Sequence, residues 1–140
     1  MTNILFICLG NICHSPMAEF VMRDLVEKAE LSARFSIASA ATSREELGNP
    51  GIACEGHAAR QLTRADYEAY DLLIGMDRSN LHDIERICGG DLEEKVRLLM
   101  EYAGRPGGEV ADPWYTGDFE ATWRDVLAGC RGLLDELVQS

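Results

Sequence analysis

The chain has 140 residues, 46% of them hydrophobic, and carries a formal net charge of −11. That length corresponds to one domain with a single core, and the acidic balance argues against long-range attraction to nucleic acid or an anionic membrane. The five cysteines, at 8, 13, 54, 88 and 130, are an odd and sparse set that fits reduced thiols better than a secreted disulfide framework. With no basic leader and no bilayer-length apolar run, the expectation is a soluble, cytoplasmic protein. No Cys/His cluster has zinc-ligand spacing, so no metal or other cofactor is expected.

In chain order, Ile4-Leu5-Phe6-Ile7 is a short continuous apolar run, the pattern of a strand buried on both faces of a parallel sheet, and it ends at Cys8. Ser15 is placed as a helix N-cap with Pro16 at the first helical position, and Met17, Phe20, Val21 and Leu25 are expected on one helical face. Phe35–Ala40 reads as a second strand, followed by a Gly/Pro/Asn-punctuated stretch from Thr42 to Gly56 with no assigned element. Thr63 and Asp66 approximate a capping box for a short helix reaching about Tyr70. Leu72–Gly75 is the third strand. Asp77 caps a helix carrying Leu81, Ile84 and Ile87 that Gly89-Gly90 ends, and Val96–Leu99 is the fourth strand. After the Thr116-Gly117-Asp118 turn, Phe119, Trp123, Val126, Leu127, Cys130, Leu133, Leu134 and Leu137 trace the apolar face of a last helix. Strands alternating with helices imply right-handed crossovers, a parallel sheet with helices on both sides, and a ligand at the carboxyl ends of the strands.

Cys8 stands at such an end, in the run Cys8-Leu9-Gly10-Asn11-Ile12-Cys13-His14-Ser15-Pro16. The helix behind this turn presents unpaired backbone N–H groups and a positive dipole end, which favour both a bound anion and a thiolate. Gly10 and Asn11 tolerate the positive φ angles that let successive N–H groups converge on one anion. A Cys at a strand end is more often a buried structural thiol, but the Gly-Asn turn and the capped helix reverse that preference. Any phosphate recognition in so acidic a chain must be local, and backbone N–H groups at a helix terminus can supply it without a basic surface.

The loop closely resembles the phosphate-binding loop of the low-molecular-weight protein tyrosine phosphatases, agreeing at Gly10, Asn11, Cys13, Ser15 and Pro16. The second matching piece, Asp112-Pro113-Trp114-Tyr115 after Glu109-Val110-Ala111, resembles that family's general-acid loop. An Asp-Pro alone would be an ordinary turn; two motifs at opposite ends of the chain are far stronger than either. The resemblance implies an α/β fold over residues 1–140, a single-domain three-layer α/β/α arrangement with a four-stranded parallel sheet in the flavodoxin-like order 2-1-3-4. It implies Cys8 as nucleophile forming a phosphocysteine, and Asp112 as acid to the departing phenolate and then base to the attacking water. Leu9, Gly10, Asn11, Ile12, Cys13 and Ser15 would hold the phosphate, with Trp114 and Tyr115 walling the substrate ring. Ser15 would also donate to the Cys8 thiolate, and Ser39 and His57 would support the loop by bonding to Asn11. Cys13 would form a reversible disulfide with Cys8, or simply pack under the loop as a small apolar residue. Ile12, where the arginine-phosphatase branch has Thr, favours an aryl phosphate.

Two departures bear on activity. His14 stands where the family has Arg, and an imidazole cannot reproduce the planar fork of donors that grips two phosphate oxygens. Any assistance from His14 should come from its imidazolium form, so residual activity should favour mildly acidic pH. Between Ser39 and His57 the family has about ten more residues, and a shortened segment would leave sheet surface uncovered. The expected substrate is a phosphotyrosine protein or small aryl phosphate, with inorganic phosphate as product or inhibitor and no nucleic-acid or membrane partner. A pseudophosphatase that binds phosphate without turnover is the second reading. Arsenate reduction through Cys88 ranks third, because no further Cys lies close to it in sequence.

Overall fold

The computed structural model describes residues 1–8, 14–42, 60–105, 107–110 and 119–139, with His14 and Phe119 through their backbone only. The strands are β1 (Thr2–Cys8), β2 (Phe35–Ala41), β3 (Leu72–Gly75) and β4 (Val96–Leu98), and the helices α1 (His14–Lys28), α2 (Arg64–Ala69), α3 (Arg78–Cys88) and α4 (Phe119–Gln139). All strand pairs are parallel, in one four-stranded sheet of order β2-β1-β3-β4, as expected from the sequence.

The apolar run of β1 explains the layering. Ile4, Leu5, Phe6 and Ile7 are fully buried, and successive side chains point to opposite faces. Ile4, Phe6 and Cys8 join Ala18, Val21, Met22 and Val26 of α1 and Val126, Cys130 and Leu133 of α4. Leu5 and Ile7 join Tyr67 of α2 and Ile84 and Cys88 of α3 on the other side. This parity turns the Cys8 side chain toward α1. Truncating Phe6 to Ala would cost about 3–5 kcal/mol, since the surrounding core relaxes only in part.

The local rules hold best at α2 and α3. Thr63 and Asp66 form the capping box that starts α2. At α3, the Asp77 carboxylate accepts from the Asn80 amide at 2.8 Å, and Gly89, at φ 81°, supplies the left-handed C-cap. Four expectations need correction. Helix α1 begins at His14, so Ser15 is its second residue rather than its N-cap, and Ser15 turns inward toward Cys8. Phe20 is 66% exposed, because the buried stripe of α1 runs through Ala18, Val21, Met22 and Val26. Trp123 is 41% exposed, its place on the core face of α4 taken by Thr122 and Val126. Leu99 opens a 3-10 helix, Leu99–Ala103, instead of extending β4.

That 3-10 helix seats α4. A Cβ added at Gly132 would collide with the Tyr102 carbonyl, and one at Gly129 would meet the Leu99 side chain. Two glycines three residues apart on one helix face thus allow backbone approach that no other residue permits.

Candidate active site

Cys8 closes β1 with its own backbone still in the sheet: it pairs with Ala41, and its carbonyl accepts from the Thr42 amide at 2.9 Å. Its sulfur lies 2.8 Å from the Ser15 hydroxyl, both groups only 2% exposed. The chain therefore returns after Cys8 to start α1 against the strand it has just left. The first N–H groups of a helix have no intrahelical partner, and their dipole end is positive, so the start of α1 favours an anion beside Cys8. Either group can donate in this contact; a hydroxyl that donates to sulfur favours the thiolate form.

At the remaining described thiols burial works against the thiolate. Burial pushes Cys130 up to about 12. Cys88 is also raised, by burial first and then by the Asp66 carboxylate. Cys88 ends α3 and packs in the other layer of the fold, so the structure does not bring it to Cys8.

Ser39 sits on β2 opposite Phe6, one same-face position behind the Cys8–Ala41 pair. It is 7% exposed, and its hydroxyl donates to Glu19 Oε1 at 2.7 Å. Sequence reading missed Glu19. Its signal was available: an acidic residue four positions after Ser15 and four before Arg23, on a helix stripe that otherwise faces the sheet.

Two segments converge on the same end of the sheet. Ala41 receives the returning chain on its free edge, its amide donating to the Arg60 carbonyl and its carbonyl accepting from Leu62, both at 2.8 Å. At the end of β3, the Met76 carbonyl accepts from the Val110 amide at 3.0 Å. The Arg78 amide donates to Glu109 Oε2 at 2.9 Å, and its guanidinium Nη2 donates to the Gly107 carbonyl at 3.1 Å. Residues 107–110, which lead to Asp112, are thereby fixed one strand away from Cys8. Asn80 supports this corner by accepting from the Met76 amide at 2.9 Å, and Asp77 serves as the expected cap. Leu9, Gly10, Asn11, Ile12, Cys13, His57, Asp112, Trp114 and Tyr115, and the side chain of His14, lie outside the described residues, as does the stretch from 43 to 59.

The sequence model of the family described as "Low molecular weight phosphotyrosine protein phosphatase" matches residues 3–140. The chain belongs to the low molecular weight phosphotyrosine protein phosphatase family. The human protein of that name is 37% identical over 149 residues, spanning 96% of this chain and 94% of its own length. The Schizosaccharomyces pombe one is 43% identical over 130 residues, 82% of each. Among solved structures, YfkJ from Bacillus subtilis superposes with a TM-score of 0.87 at 34% identity, covering 99% of this chain and 96% of that one. The human alignment is longer than the 140-residue chain, so that relative carries residues this family member lacks. The enzyme class that membership gives is a protein-tyrosine phosphatase.

Proposed function

We propose that the chain hydrolyses phosphotyrosine or small aryl phosphates through a phosphocysteine on Cys8, at a rate limited by His14. The observation that carries this reading is the buried 2.8 Å contact between the Cys8 sulfur and the Ser15 hydroxyl, at the junction of a parallel strand and a helix N-terminus. In the first step the thiolate attacks phosphorus, the P–S bond forms as the ester P–O bond breaks, and Asp112 gives its proton to the departing phenolate. In the second, water attacks phosphorus, Asp112 takes its proton, and the thiolate leaves with its electron pair as phosphate is released.

The backbone of Leu9, Gly10, Asn11, Ile12 and Cys13 holds the phosphate, Ser39 and His57 support Asn11, and Trp114 and Tyr115 flank the ring. The anchored stem at residues 107–110 supports the place of Asp112, and the return of the chain at Arg60 supports that of His57. No metal is required. Cys13 stands ready to trap Cys8 as a disulfide under oxidation. A cytoplasmic setting suits Cys88 and Cys130, which remain thiols.

Loss of a preorganised donor to developing charge costs roughly 10²–10³ in rate, and His14 in place of a bidentate cation should cost at least that. The test is aryl phosphate hydrolysis under reducing conditions by the native chain and its His14→Arg and Cys8→Ser variants. The expected result is a gain of orders of magnitude for His14→Arg and no activity for Cys8→Ser. The substitution at position 14 also favours a second reading, a phosphate-binding protein without turnover. Tight vanadate binding with His14→Arg still inactive would select it.

A further inference from the structure

The peptide group between Ala41 and Thr42 is bonded at both ends. Its carbonyl accepts from the Leu62 amide at 2.8 Å, and its N–H donates to the Cys8 carbonyl at 2.9 Å. Hydrogen bonds in series through one peptide polarise and strengthen each other. The Thr42 carbonyl in turn accepts from Gln61 Nε2 at 3.2 Å. Gln61 and Leu62 thus grip both sides of Thr42, the residue whose amide holds the carbonyl of Cys8.

A plain structural account covers the backbone part of this. The isolated bridge between Ala41 and Gln61 gives the outer edge of β2 a partner where the chain returns to it. That account does not reach the Gln61 side chain. Gln61 Oε1 and Thr42 Oγ1 are buried without a hydrogen-bond partner, and among the described residues they are the two side-chain nitrogen or oxygen atoms of which this is true. A buried polar atom left unpaired destabilises by more than a typical hydrogen bond stabilises, so an apolar side chain of similar length would lie here more favourably. What the carboxamide supplies and an apolar group cannot is a donor. The Thr42 carbonyl can only accept, which sets Nε2 toward it and leaves Oε1 as the unpaired atom.

We propose that Gln61 is a positioning residue for the nucleophile of the proposed reaction: by holding the Thr42 carbonyl it fixes the Thr42 amide on Cys8, and so keeps the Cys8 sulfur 2.8 Å from the Ser15 hydroxyl at the start of α1. The inference rests on the reading of Cys8 as that nucleophile. Without the Nε2 donor the Thr42 carbonyl turns away, its amide leaves the line to Cys8, and the end of β1 loosens. The sulfur then spends less time against Ser15 and the helix N-terminus, and the thiol keeps its proton to higher pH.

The test reads the thiolate rather than turnover. The rate of iodoacetate labelling of Cys8 is followed against pH by peptide mass spectrometry, on variants whose thermal melts confirm that they fold. Gln61→Met removes the donor and the unpaired oxygen at nearly the same length. Its Cys8 labelling below the thiol midpoint should slow about three- to tenfold, the worth of one hydrogen bond, and the whole profile should move to higher pH. In a Ser15→Ala background Gln61→Met should add less than about twofold, because the contact through which it acts is gone. Gln139→Met, on an exposed residue at the end of α4, serves as the control and should change nothing. An unmoved profile in Gln61→Met, or the full shift persisting without Ser15, overturns the inference. If Gln61→Met does not fold, Gln61→Leu replaces it; failure of both to fold assigns Gln61 to stability and also overturns it. A native Cys8 that titrates in the ordinary thiol range, about 8.5, instead refutes the reading of Cys8 as an activated nucleophile, before any variant is compared.

Discussion

The Val110 amide donates to the Met76 carbonyl at 3.0 Å, so the chain on its way to Asp112 is pinned to the end of β3, the strand next to the one that ends in Cys8. Arg78 reinforces that pin through Glu109 and Gly107. Loosening it should harm proton delivery more than nucleophilic attack. Arg78→Met is expected to lower kcat about three- to tenfold for phenyl phosphate, whose leaving group needs a proton, and much less for 4-nitrophenyl phosphate, whose leaving group does not. Equal losses on the two substrates would detach the Arg78 anchor from general-acid catalysis.

On the proposed reading of His14 as the cation of the loop, turnover should decline as pH rises through the ordinary imidazole range, about 6.5. In His14→Arg that alkaline decline should vanish, because a guanidinium keeps its charge throughout. Rate profiles of the two proteins on one aryl phosphate decide the point.

Among the three described thiols, Cys8 should react first with iodoacetamide near neutral pH. Burial holds Cys130 protonated, with its titration pushed up to about 12, and raises Cys88 as well. Peptide mapping after brief labelling should find Cys8 carbamidomethylated while Cys88 and Cys130 are not; early label on Cys88 would contradict the burial argument.

Gly132→Ala should destabilise the fold by about 1–3 kcal/mol or more, since the new methyl meets the Tyr102 carbonyl, which is backbone and cannot swing aside. A urea or thermal melt measures the loss directly, and a melt like that of the native chain would mean that α4 can shift at little cost.

Asp66 links acid stability to the α2 cap. Burial works to raise its pKa, yet the Arg60 hydrogen bond at 2.8 Å and the Thr63 amide together bring it below the ordinary 3.8. A carboxyl whose folded pKa lies below its unfolded one binds fewer protons when folded. Its stabilising contribution is therefore complete above about pH 4 and lost as pH falls through the depressed value. Asp66→Asn should lower the urea midpoint at pH 6 and shrink the difference between pH 6 and pH 2.5; an unchanged difference would remove Asp66 from the acid response.

The elements that sequence reading located well are those whose signals are local. The Asp77 cap and Gly89 stop bound α3, the Thr63–Asp66 box starts α2, and the unbroken Ile4–Ile7 run marks a strand covered on both sides. Phe20 and Trp123 were misplaced because helical periodicity gives a stripe without fixing its centre, and tertiary packing turned each helix so that smaller residues met the sheet. Ser15 looked like a cap because serine favours that position; its real engagement is with a sulfur seven residues earlier, a contact that only the folded turn creates. Glu19 and Arg23 escaped notice for a related reason. On paper they form an ordinary surface ion pair, and only the parity of β2 reveals that Ser39 faces them.

Cys8, the nucleophile of the proposed reaction, is also a rung of the central strand β1, paired with Ala41 of β2 and held by its carbonyl to the Thr42 amide. The most protected part of a domain is ordinarily its central strands, which open only when the whole molecule does. Inactivation by denaturant should therefore track global unfolding in midpoint and slope, and the Cys8 amide should exchange with solvent as slowly as those of Leu5 and Phe6.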